Sequence, residues 1–213
     1  DYSDGIRGTD QNRIGPRRLV GSGLINANQV KIAAGISFLL AAIAGLVLAI
    51  MTSLWLILIG CIAILAAWFY TGGSRPYGYS GYGEVSVFVF FGLVATVGSS
   101  YVQSQTIETI SMLCSVPVGL LASALLVVNN FRDIETDSET GKQTFAVRLG
   151  KAKTKMFFAL LLLASLGMYV LIAVLYTYLV LITLVVIPLI LKLISDIFSK
   201  ENAQDLINIL ENT

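Results

Sequence analysis

Long apolar runs separated by short polar segments dominate the chain. A helix needs roughly 20 consecutive apolar residues to cross about 30 Å of hydrocarbon. Two connections, 52–53 and 176–178, are long enough only for tight hairpins between successive runs. The pattern predicts an all-α, multi-spanning transmembrane helix bundle, formed by a single domain over residues 1–213. The six runs that predict membrane spans are about 33–51, 54–70, 85–101, 109–131, 156–175 and 179–194.

Charged residues fall on one side of this predicted bundle. Twelve of the 14 lysines and arginines lie before the first run or in alternate connections after it, and the other two, Lys192 and Lys200, lie near the end of the sixth run and in the tail on the same side. Such an excess of cations marks the cytoplasmic side of a membrane protein. Of the 13 acidic residues, only Glu108 lies on the opposite side. Because acidic residues contribute little to orientation, their clustering indicates a function that needs carboxylates.

Composition supports the membrane assignment and excludes several other classes. Hydrophobic residues make up 56% of the chain and charged residues 13%, against about 25% charged residues in soluble domains. The net charge of +1 gives no reason to expect a nucleic-acid partner. The chain has no histidine, which removes the usual general base and the usual zinc or haem ligand. Cys61 and Cys114 lie far apart inside apolar runs and are interpreted as small apolar side chains.

Two aspartate-rich segments on the cytoplasmic side carry the strongest chemical signal. Asp1 and Asp4 are three residues apart, and Asp10 follows them. Asp133 and Asp137 are four residues apart, so a helix that continues past the membrane edge places both on one face. Mg²⁺ prefers hard oxygen ligands and typically binds a few carboxylates together with phosphate oxygens. The two segments therefore predict a site where these five aspartates bind Mg²⁺ and hold a diphosphate.

Basic and amide side chains accompany both segments. Either segment alone is typical of a solvated loop, but both lie on one side, and each is followed by glycine and basic residues. Arginine and lysine beside the carboxylates are suited to covering the remaining phosphate charge. Polar side chains at membrane depth tend to be functional. Asn129 and Asn130, near the end of the fourth run, are such side chains. The residues predicted to bind the diphosphate are Arg13, Arg17, Asn129, Arg132 and Lys142.

A loop rich in glycine and tyrosine, residues 71–84, lies between the two segments on the same side. One interpretation is an aromatic belt at the membrane interface, with glycines in its turns. The other is a substrate-binding loop, in which tyrosine rings stabilise a developing allylic cation. In that interpretation Arg75 binds an acidic acceptor, and Glu84 acts as a further metal ligand or a base.

At these motifs the chain resembles the UbiA superfamily of membrane prenyltransferases. The segment from Asp1 to Asp4 is similar to the family's NDxxD motif without its asparagine, and residues 12–23 are similar to the stretch that follows that motif. The segment from Asp133 to Asp137 is similar to the family's second motif, DxxxD. The resemblance covers nearly the whole chain.

The same resemblance implies a number of transmembrane helices, and it shows one position where this chain departs from the aspartate motif. The family's fold has nine transmembrane helices, and the six runs match the third to the eighth. We therefore expect family segments to be missing at both ends of the chain. The superfamily pattern often has a third aspartate at the position of Gly8, and Asp10, two residues further on, is expected to replace it.

Within the superfamily, three stretches are most similar to the 1,4-dihydroxy-2-naphthoate polyprenyltransferases of menaquinone biosynthesis. They are residues 12–16, 75–92 and 129–150. The resemblance implies Mg²⁺-dependent transfer of a polyprenyl group from polyprenyl diphosphate to 1,4-dihydroxy-2-naphthoate, with loss of the carboxyl group to give a demethylmenaquinone. It also implies an integral protein of a bacterial-type cytoplasmic (inner) membrane, surrounded by the lipid bilayer, with its aspartate motifs on the cytoplasmic face.

This reaction assigns two further sets of residues. Those predicted to contact the acceptor or the prenyl group are Arg75, Tyr77, Tyr79, Tyr82 and Asn130. Those predicted to take part in catalysis are Asp4, Arg75, Tyr77, Asp133 and Asp137.

Three alternatives stay open at the level of sequence. The same superfamily motifs occur in enzymes that act on another aromatic acceptor, such as 4-hydroxybenzoate. They also occur in relatives of haem O synthase and chlorophyll synthase. A CDP-alcohol phosphotransferase would begin with a motif like Asp1 to Gly5, but the residues from Thr9 onwards do not continue that motif. A cation or metabolite transporter, the non-enzyme alternative, would place its acidic residues near mid-membrane, whereas here they cluster at one end.

Overall fold

A computed structural model describes residues 1–8 and 17–199 of the chain. The helices in these two ranges are α1 (Tyr2–Arg7), α2 (Ala27–Met51), α3 (Trp55–Thr71), α4 (Gly83–Ser104), α5 (Thr109–Arg132), α6 (Ile134–Glu139), α7 (Phe145–Leu175) and α8 (Tyr178–Ser199). Every regular element within the described ranges is helical, and a short 3₁₀ turn, Tyr77–Ser80, lies in the tyrosine-rich loop. The predicted all-α membrane bundle is therefore confirmed.

Each predicted run lies within one helix, but the helices extend beyond the runs. Five of them, α2, α4, α5, α7 and α8, are long and apolar enough to cross a membrane. Helix α3 has 17 residues and is about 25 Å long at about 1.5 Å per residue. Apolar content marks only the part of a helix inside hydrocarbon, whereas capping residues mark its ends. Thus α7 begins at Phe145, where the Thr144 hydroxyl accepts a hydrogen bond from the N–H group of Val147 at 3.4 Å.

The best-packed part of the bundle lies between α5, α7 and α8. Its buried apolar side chains are Ala124, Val127, Val128, Phe131, Phe158, Leu161, Leu162, Ile190, Leu193 and Ile197. Phe131 is two residues before Asp133, so this core fixes the end of α5 that carries the second aspartate motif. Helices α2 and α3 instead expose large apolar side chains such as Leu40 and Trp55, which is typical of a surface in contact with lipid.

Helices α4 and α5 come into backbone contact at two glycines. A Cβ atom on Gly92 would lie 2.6 Å from the Cα atom of Gly119, and a Cβ atom on Gly119 would lie 2.7 Å from the ring of Phe88. Small residues allow helices to approach closely in membranes. Residues Phe88–Val94 of α4 form a π-helix, a local widening that is frequent at functional sites. The glycine contact fixes this widened segment against α5.

Replacing Gly92 with alanine is expected to destabilise the bundle, because the added methyl group meets backbone atoms of α5. Overpacking of this kind typically costs about 1–3 kcal/mol, which would lower the unfolding temperature measured in detergent. Gly98→Ala in the same helix is the matched control, since nothing lies within 4 Å of its Cβ position. The control should keep the unfolding temperature or raise it slightly. Equal unfolding temperatures for the two variants would contradict the close contact.

Candidate active site

A polar cavity of about 260 Å³ lies where the two aspartate motifs meet the tyrosine-rich loop. Helix α1, the end of α3, the loop, the end of α5 and helix α6 all contribute to its wall. The fold therefore brings together segments that are far apart in the sequence. The lining residues are Asp4, Arg18, Tyr70, Thr71, Gly78, Tyr79, Leu126, Asn129, Asn130, Asp133, Thr136, Asp137 and Lys142.

The second aspartate motif lies at a break between two helices. Helix α5 ends at Arg132, and α6 begins one residue after Asp133. The N–H group of Asp137 still donates to the carbonyl oxygen of Asp133 at 2.8 Å, which keeps one helical turn between them. The sequence predicted one continuous helix here; the structure shows a break, but both aspartates line the same cavity.

Each carboxylate of this motif has a basic partner. Asp133 accepts two hydrogen bonds of 2.7 Å from the guanidinium group of Arg132, whose side chain is 3% exposed. Asp137 forms an ion pair with Lys142, with 3.1 Å between Oδ1 and Nζ. Arg132 thus lies behind Asp133, whereas Lys142 itself lines the cavity.

Asp137 is only partly neutralised by its partner. Its side chain is buried, and its Oδ2 atom has no hydrogen-bond partner among the described residues. Burial raises the pKa of the Asp137 carboxyl group, the ion pair with Lys142 lowers it, and the charges of Asp133 and Asp4 raise it further. The net direction is upward, because desolvation and two neighbouring carboxylates outweigh one lysine.

Tyr79 connects the first aspartate motif to the rest of the cavity. Its hydroxyl group donates a hydrogen bond to Asp4. Its ring lies between two cations, with the Arg7 guanidinium carbon 5.1 Å and the Lys142 Nζ atom 5.3 Å from its centroid. Arg7 also donates to the carbonyl oxygen of Thr71 at 2.8 Å. This network holds α1 against the end of α3 and so places Asp4 in the cavity.

An apolar groove of about 550 Å³ begins beside the polar cavity, and Tyr70 lines both spaces. The rings of Tyr70 and Tyr77 stand edge to face, with 5.5 Å between their centroids. The Tyr77 hydroxyl donates to the carbonyl oxygen of Ala66 at 2.8 Å and lies 2.9 Å from the Ser86 hydroxyl. The residues that line the groove are Ala63, Ala67, Tyr70, Tyr77, Ser86, Val87, Phe90, Phe91, Val94 and Ala95.

A second apolar groove, of about 670 Å³, meets the first at Val94. It reaches Trp55 and Ile107 at the opposite end of the bundle. On α3, Tyr70 and Trp55 are separated by about 22 Å at about 1.5 Å per residue. We call the two grooves together the apolar channel; it runs along α3 and α4 from the polar cavity to the far side of the bundle.

The structure brings most of the predicted site residues together. Those that line the polar cavity are Asp4, Tyr79, Asn129, Asn130, Asp133, Asp137 and Lys142. Tyr77 lines the apolar channel instead. Asp10 and Arg13 lie outside the described residues, so the predictions about them stay predictions.

Arg132 binds Asp133 from behind and does not itself line the cavity. Four further predicted residues lie away from the cavity. The carboxylate of Asp1 accepts hydrogen bonds from the backbone N–H groups of Leu19 and Val20, at 3.2 and 3.0 Å. In this arrangement Asp1 closes the turn between the first motif and α2. The other three are exposed and line neither the cavity nor the channel; they are Arg17, Arg75 and Tyr82. Their predicted roles in the reaction stay predictions.

Comparison with known proteins bears directly on this site. The UbiA prenyltransferase family model matches residues 1–208. The chain belongs to the UbiA prenyltransferase family. It is an integral-membrane prenyltransferase, and its polar cavity is lined by Asp4 of the first aspartate motif and by Asp133 and Asp137 of the second.

Three bacterial relatives of this UbiA-family chain share one name. Over 213 residues, all of this chain, it is 47% identical to the 1,4-dihydroxy-2-naphthoate octaprenyltransferase of Mycobacterium tuberculosis and covers 73% of that relative. The Mycobacterium leprae protein of the same name is 45% identical over 213 residues, with 72% of its length covered. The Escherichia coli protein of that name is 41% identical over 173 residues, which are 78% of this chain and 56% of the relative. No solved structure matches the chain.

The donor set of the cavity fits a hard divalent cation. Within residues 1–8 and 17–199, no three His, Cys, Asp or Glu side chains form a ready-made metal site. Mg²⁺ seldom uses such a cage, since it binds one or two carboxylates and completes its shell with phosphate oxygens and water. The Oδ2 atom of Asp137 has no hydrogen-bond partner among the described residues. Together with the carboxylates of Asp133 and Asp4, which line the same cavity, it provides hard oxygen for such a cation.

Several residues of the site were not predicted from the sequence. Tyr70 lines both the cavity and the channel. Its position at the end of a run, on the side that carries the aspartate motifs, was the available signal. Arg18 lines the cavity, whereas its neighbour Arg17 was predicted to do so. Arg7 lies one helical turn after Asp4, a spacing that places both on one face. Thr136 lies between the two aspartates of the second motif and carried no separate signal.

Replacing Asp137 with asparagine is expected to raise the unfolding temperature of the prenyltransferase at pH 7 in EDTA. The raised pKa means that the folded state binds a proton at Asp137 more tightly than the unfolded state, where the pKa is about 3.9. The ionised carboxylate therefore destabilises the fold above its folded pKa. This destabilisation should disappear as the pH falls through the folded pKa towards about 4.

Glu139→Gln is the control for this experiment, because Glu139 is exposed on the same helix. The control should change the unfolding temperature little at either pH. A lower unfolding temperature for Asp137→Asn than for the unmodified protein at pH 7 would show that the ion pair with Lys142 outweighs desolvation.

Proposed function

We propose that this prenyltransferase transfers a polyprenyl group from polyprenyl diphosphate to 1,4-dihydroxy-2-naphthoate. The reaction depends on Mg²⁺, releases CO₂ and gives the quinol form of a demethylmenaquinone. The acceptor is suggested by the relatives, which carry the name 1,4-dihydroxy-2-naphthoate octaprenyltransferase. The observation that carries the proposal is that a carboxylate-lined polar cavity meets an apolar channel at Tyr70. A polyprenyl diphosphate has the same two parts, a charged head and a long apolar tail.

The polar cavity suits the diphosphate head. Lys142 and Arg18 line it and supply positive charge, lysine as a point charge and arginine as a planar fork. Asp133 and Asp137 would hold Mg²⁺ together with phosphate oxygens, with Asp4 on the other motif. When bound, Mg²⁺ neutralises the negative charge that the diphosphate gains as it leaves.

The apolar channel suits the polyprenyl tail. With the head in the cavity and the tail in the channel, the C–O bond that breaks lies near Tyr70, which lines both. The bonding electron pair leaves with the diphosphate, so positive charge develops on the allylic carbon. Aromatic rings attract cations over their faces. The rings of Tyr70 and Tyr77 are therefore placed to stabilise this charge.

The acceptor supplies the electrons for the new bond. Its ring carbon that bears the carboxylate attacks the allylic carbon, and a C–C bond forms. The carboxylate then leaves as CO₂, and the electron pair of the broken C–C bond returns to the ring and restores its aromaticity. Because CO₂ rather than a proton leaves this carbon, no base is needed there. This agrees with a chain that has no histidine.

We place this reaction on the cytoplasmic face of a bacterial-type inner membrane. The connections that carry the lysines and arginines are those that carry Asp4, Asp133 and Asp137, and an excess of cations marks the cytoplasmic side. The three relatives named above are bacterial proteins. On this face, a water-soluble acceptor reaches the cavity while the donor's tail stays in the membrane.

The protein in membranes, given a long-chain polyprenyl diphosphate and Mg²⁺, is expected to prenylate 1,4-dihydroxy-2-naphthoate. Carboxyl-labelled acceptor should release one labelled CO₂ for each prenylated product, and EDTA should abolish both signals. 4-Hydroxybenzoate serves as the comparison acceptor. Conversion of 4-hydroxybenzoate alone would preserve the prenyl transfer and disprove the proposed acceptor and decarboxylation.

Asp133→Asn and Asp137→Asn are each expected to lower Mg²⁺-dependent turnover on the order of 100-fold, as loss of one stabilising group in an active site typically does. A second readout is the unfolding temperature with Mg²⁺ and inorganic pyrophosphate, which stand in for the donor head. These ligands should stabilise the unmodified protein, because they bind only the folded state, and should stabilise neither variant. Glu139→Gln is again the control. Near-normal turnover, or unchanged stabilisation, in both variants would contradict the metal role.

A further inference from the structure

Glu84 is a buried acid that the proposed reaction does not use. It lies in the first turn of α4 and is 5% exposed. Its Oε1 atom accepts a hydrogen bond from the side-chain nitrogen of Asn130 at 2.9 Å. Its Oε2 atom has no hydrogen-bond partner among the described residues. Ser123 donates to the backbone carbonyl oxygen of Glu84 at 3.1 Å, which fixes this turn against α5.

A carboxylate is an unusual choice for simply joining two helices, because burying it is unfavourable. A glutamine would form the same hydrogen bond without the charge. The property that glutamate adds is that its ionised carboxylate only accepts hydrogen bonds, whereas an amide also donates them. The Asn130 side chain beside it is therefore held with its nitrogen towards Glu84. One orientation of the amide group is selected.

This orientation decides what Asn130 presents to the cavity that it lines. The amide nitrogen is engaged by Glu84, and the amide oxygen has no hydrogen bond among the described residues. An oxygen acceptor attracts a hydroxyl group and repels a phosphate oxygen. Asn130 is thereby distinguished from Asn129, whose nitrogen donates to the carbonyl oxygen of Leu125.

The pair also lies beside the boundary between cavity and channel. A Cβ atom on Gly83, the residue before Glu84, would lie 3.0 Å from the hydroxyl oxygen of Tyr70. Tyr70 lines both the cavity and the channel, so the reacting carbon of the donor lies near it. A hydroxyl group of the acceptor ring, positioned for attack on that carbon, is therefore within the part of the cavity that Asn130 lines.

We propose that Glu84 is a positioning residue, which orients the Asn130 amide so that its oxygen accepts a hydrogen bond from a hydroxyl group of the aromatic acceptor. This inference rests on the proposed function, because it requires a hydroxylated acceptor. It assigns the Glu84–Asn130 pair to acceptor selection rather than to metal or diphosphate binding. In the proposed function the donor head binds Lys142 and the aspartates instead.

The test is the Glu84→Gln variant, which keeps the size of the side chain and allows either orientation of Asn130. With the dihydroxynaphthoate as acceptor, the acceptor KM should rise about 5- to 10-fold, the effect of one hydrogen bond, while the donor KM stays unchanged. An unchanged donor KM also shows that the variant is folded. Glu139→Gln, an exposed carboxylate outside the cavity, should change neither value.

A naphthoate that lacks one hydroxyl group gives a second readout. The unmodified protein should prefer the dihydroxy acceptor, and this preference is the ratio of its kcat/KM to that of the acceptor that lacks one hydroxyl group. The ratio should fall in Glu84→Gln, because Asn130 no longer forms a fixed hydrogen bond with that hydroxyl group. A loss of packing alone would lower both kcat/KM values and keep their ratio. An unchanged ratio would therefore overturn the proposal.

The reciprocal exchange gives a rescue. In Glu84→Gln combined with Asn130→Asp, glutamine donates to the new carboxylate, whose other oxygen again accepts from the acceptor. Its acceptor KM should lie closer to the unmodified value than that of either single variant; a value that is the product of the two single effects would overturn the proposal.

If the unmodified protein transfers no prenyl group to a hydroxylated aromatic compound, the proposed function itself fails. If it does so and Glu84→Gln raises both KM values equally, only the role of Glu84 fails.

Discussion

Burial of carboxylates in one small cavity is the constraint on which the rest of the structure depends. Asp4, Asp133 and Asp137 line one small cavity, and burial together with their mutual charge raises the pKa of Asp137 despite its ion pair with Lys142. Such a cluster persists only if the surrounding fold holds it in place. The core between α5, α7 and α8 does so from one side, through Phe131 next to the second motif. From the other side, the Tyr79 network holds α1. A cavity that combines these carboxylates with Lys142 and Arg18 matches the site proposed for a cation and a diphosphate.

The second requirement is a path for an apolar tail that begins at this charged cavity. Helix α4 forms one wall of this path. One of its surfaces packs against α5 through the contact of Gly92 with Gly119, and Phe90 and Phe91 of the same π-helical segment line the channel. Helix α3 forms the other wall and ends at Tyr70 and Thr71, which line the cavity. The polar cavity and the apolar channel thus meet at one aromatic residue, Tyr70, at the end of one helix.

The sequence predicts the membrane bundle and much of the site, because both follow from local rules. Apolar runs specify spans, and the spacing of Asp133 and Asp137 places them on one side of a helical turn. The tyrosine-rich loop is different, since its 3₁₀ turn and the left-handed Gly81 (φ 79°) decide where each ring points. Tyr79 is directed to the cavity, Tyr77 to the channel and Tyr82 to the surface. A sequence pattern shows that these residues share a loop; only the folded turn separates their roles. The backbone contacts of Asp1 with residues 19–20 likewise arise from a return of the chain that no local spacing encodes.

Two buried carboxyl groups, those of Asp137 and Glu84, each have an oxygen without a partner among the described residues, yet their surroundings differ. Asp137 lies among other carboxylates and one lysine, so its environment is dominated by charge and favours a cation. Glu84 contacts an amide, and the hydroxyl of Ser123 bonds to its backbone, so its environment is dominated by hydrogen-bond direction. The same functional group can therefore serve charge neutralisation at one position and orientation at another. In a chain without histidine, the proposed metal site and the proposed selection of the acceptor therefore both depend on carboxylates.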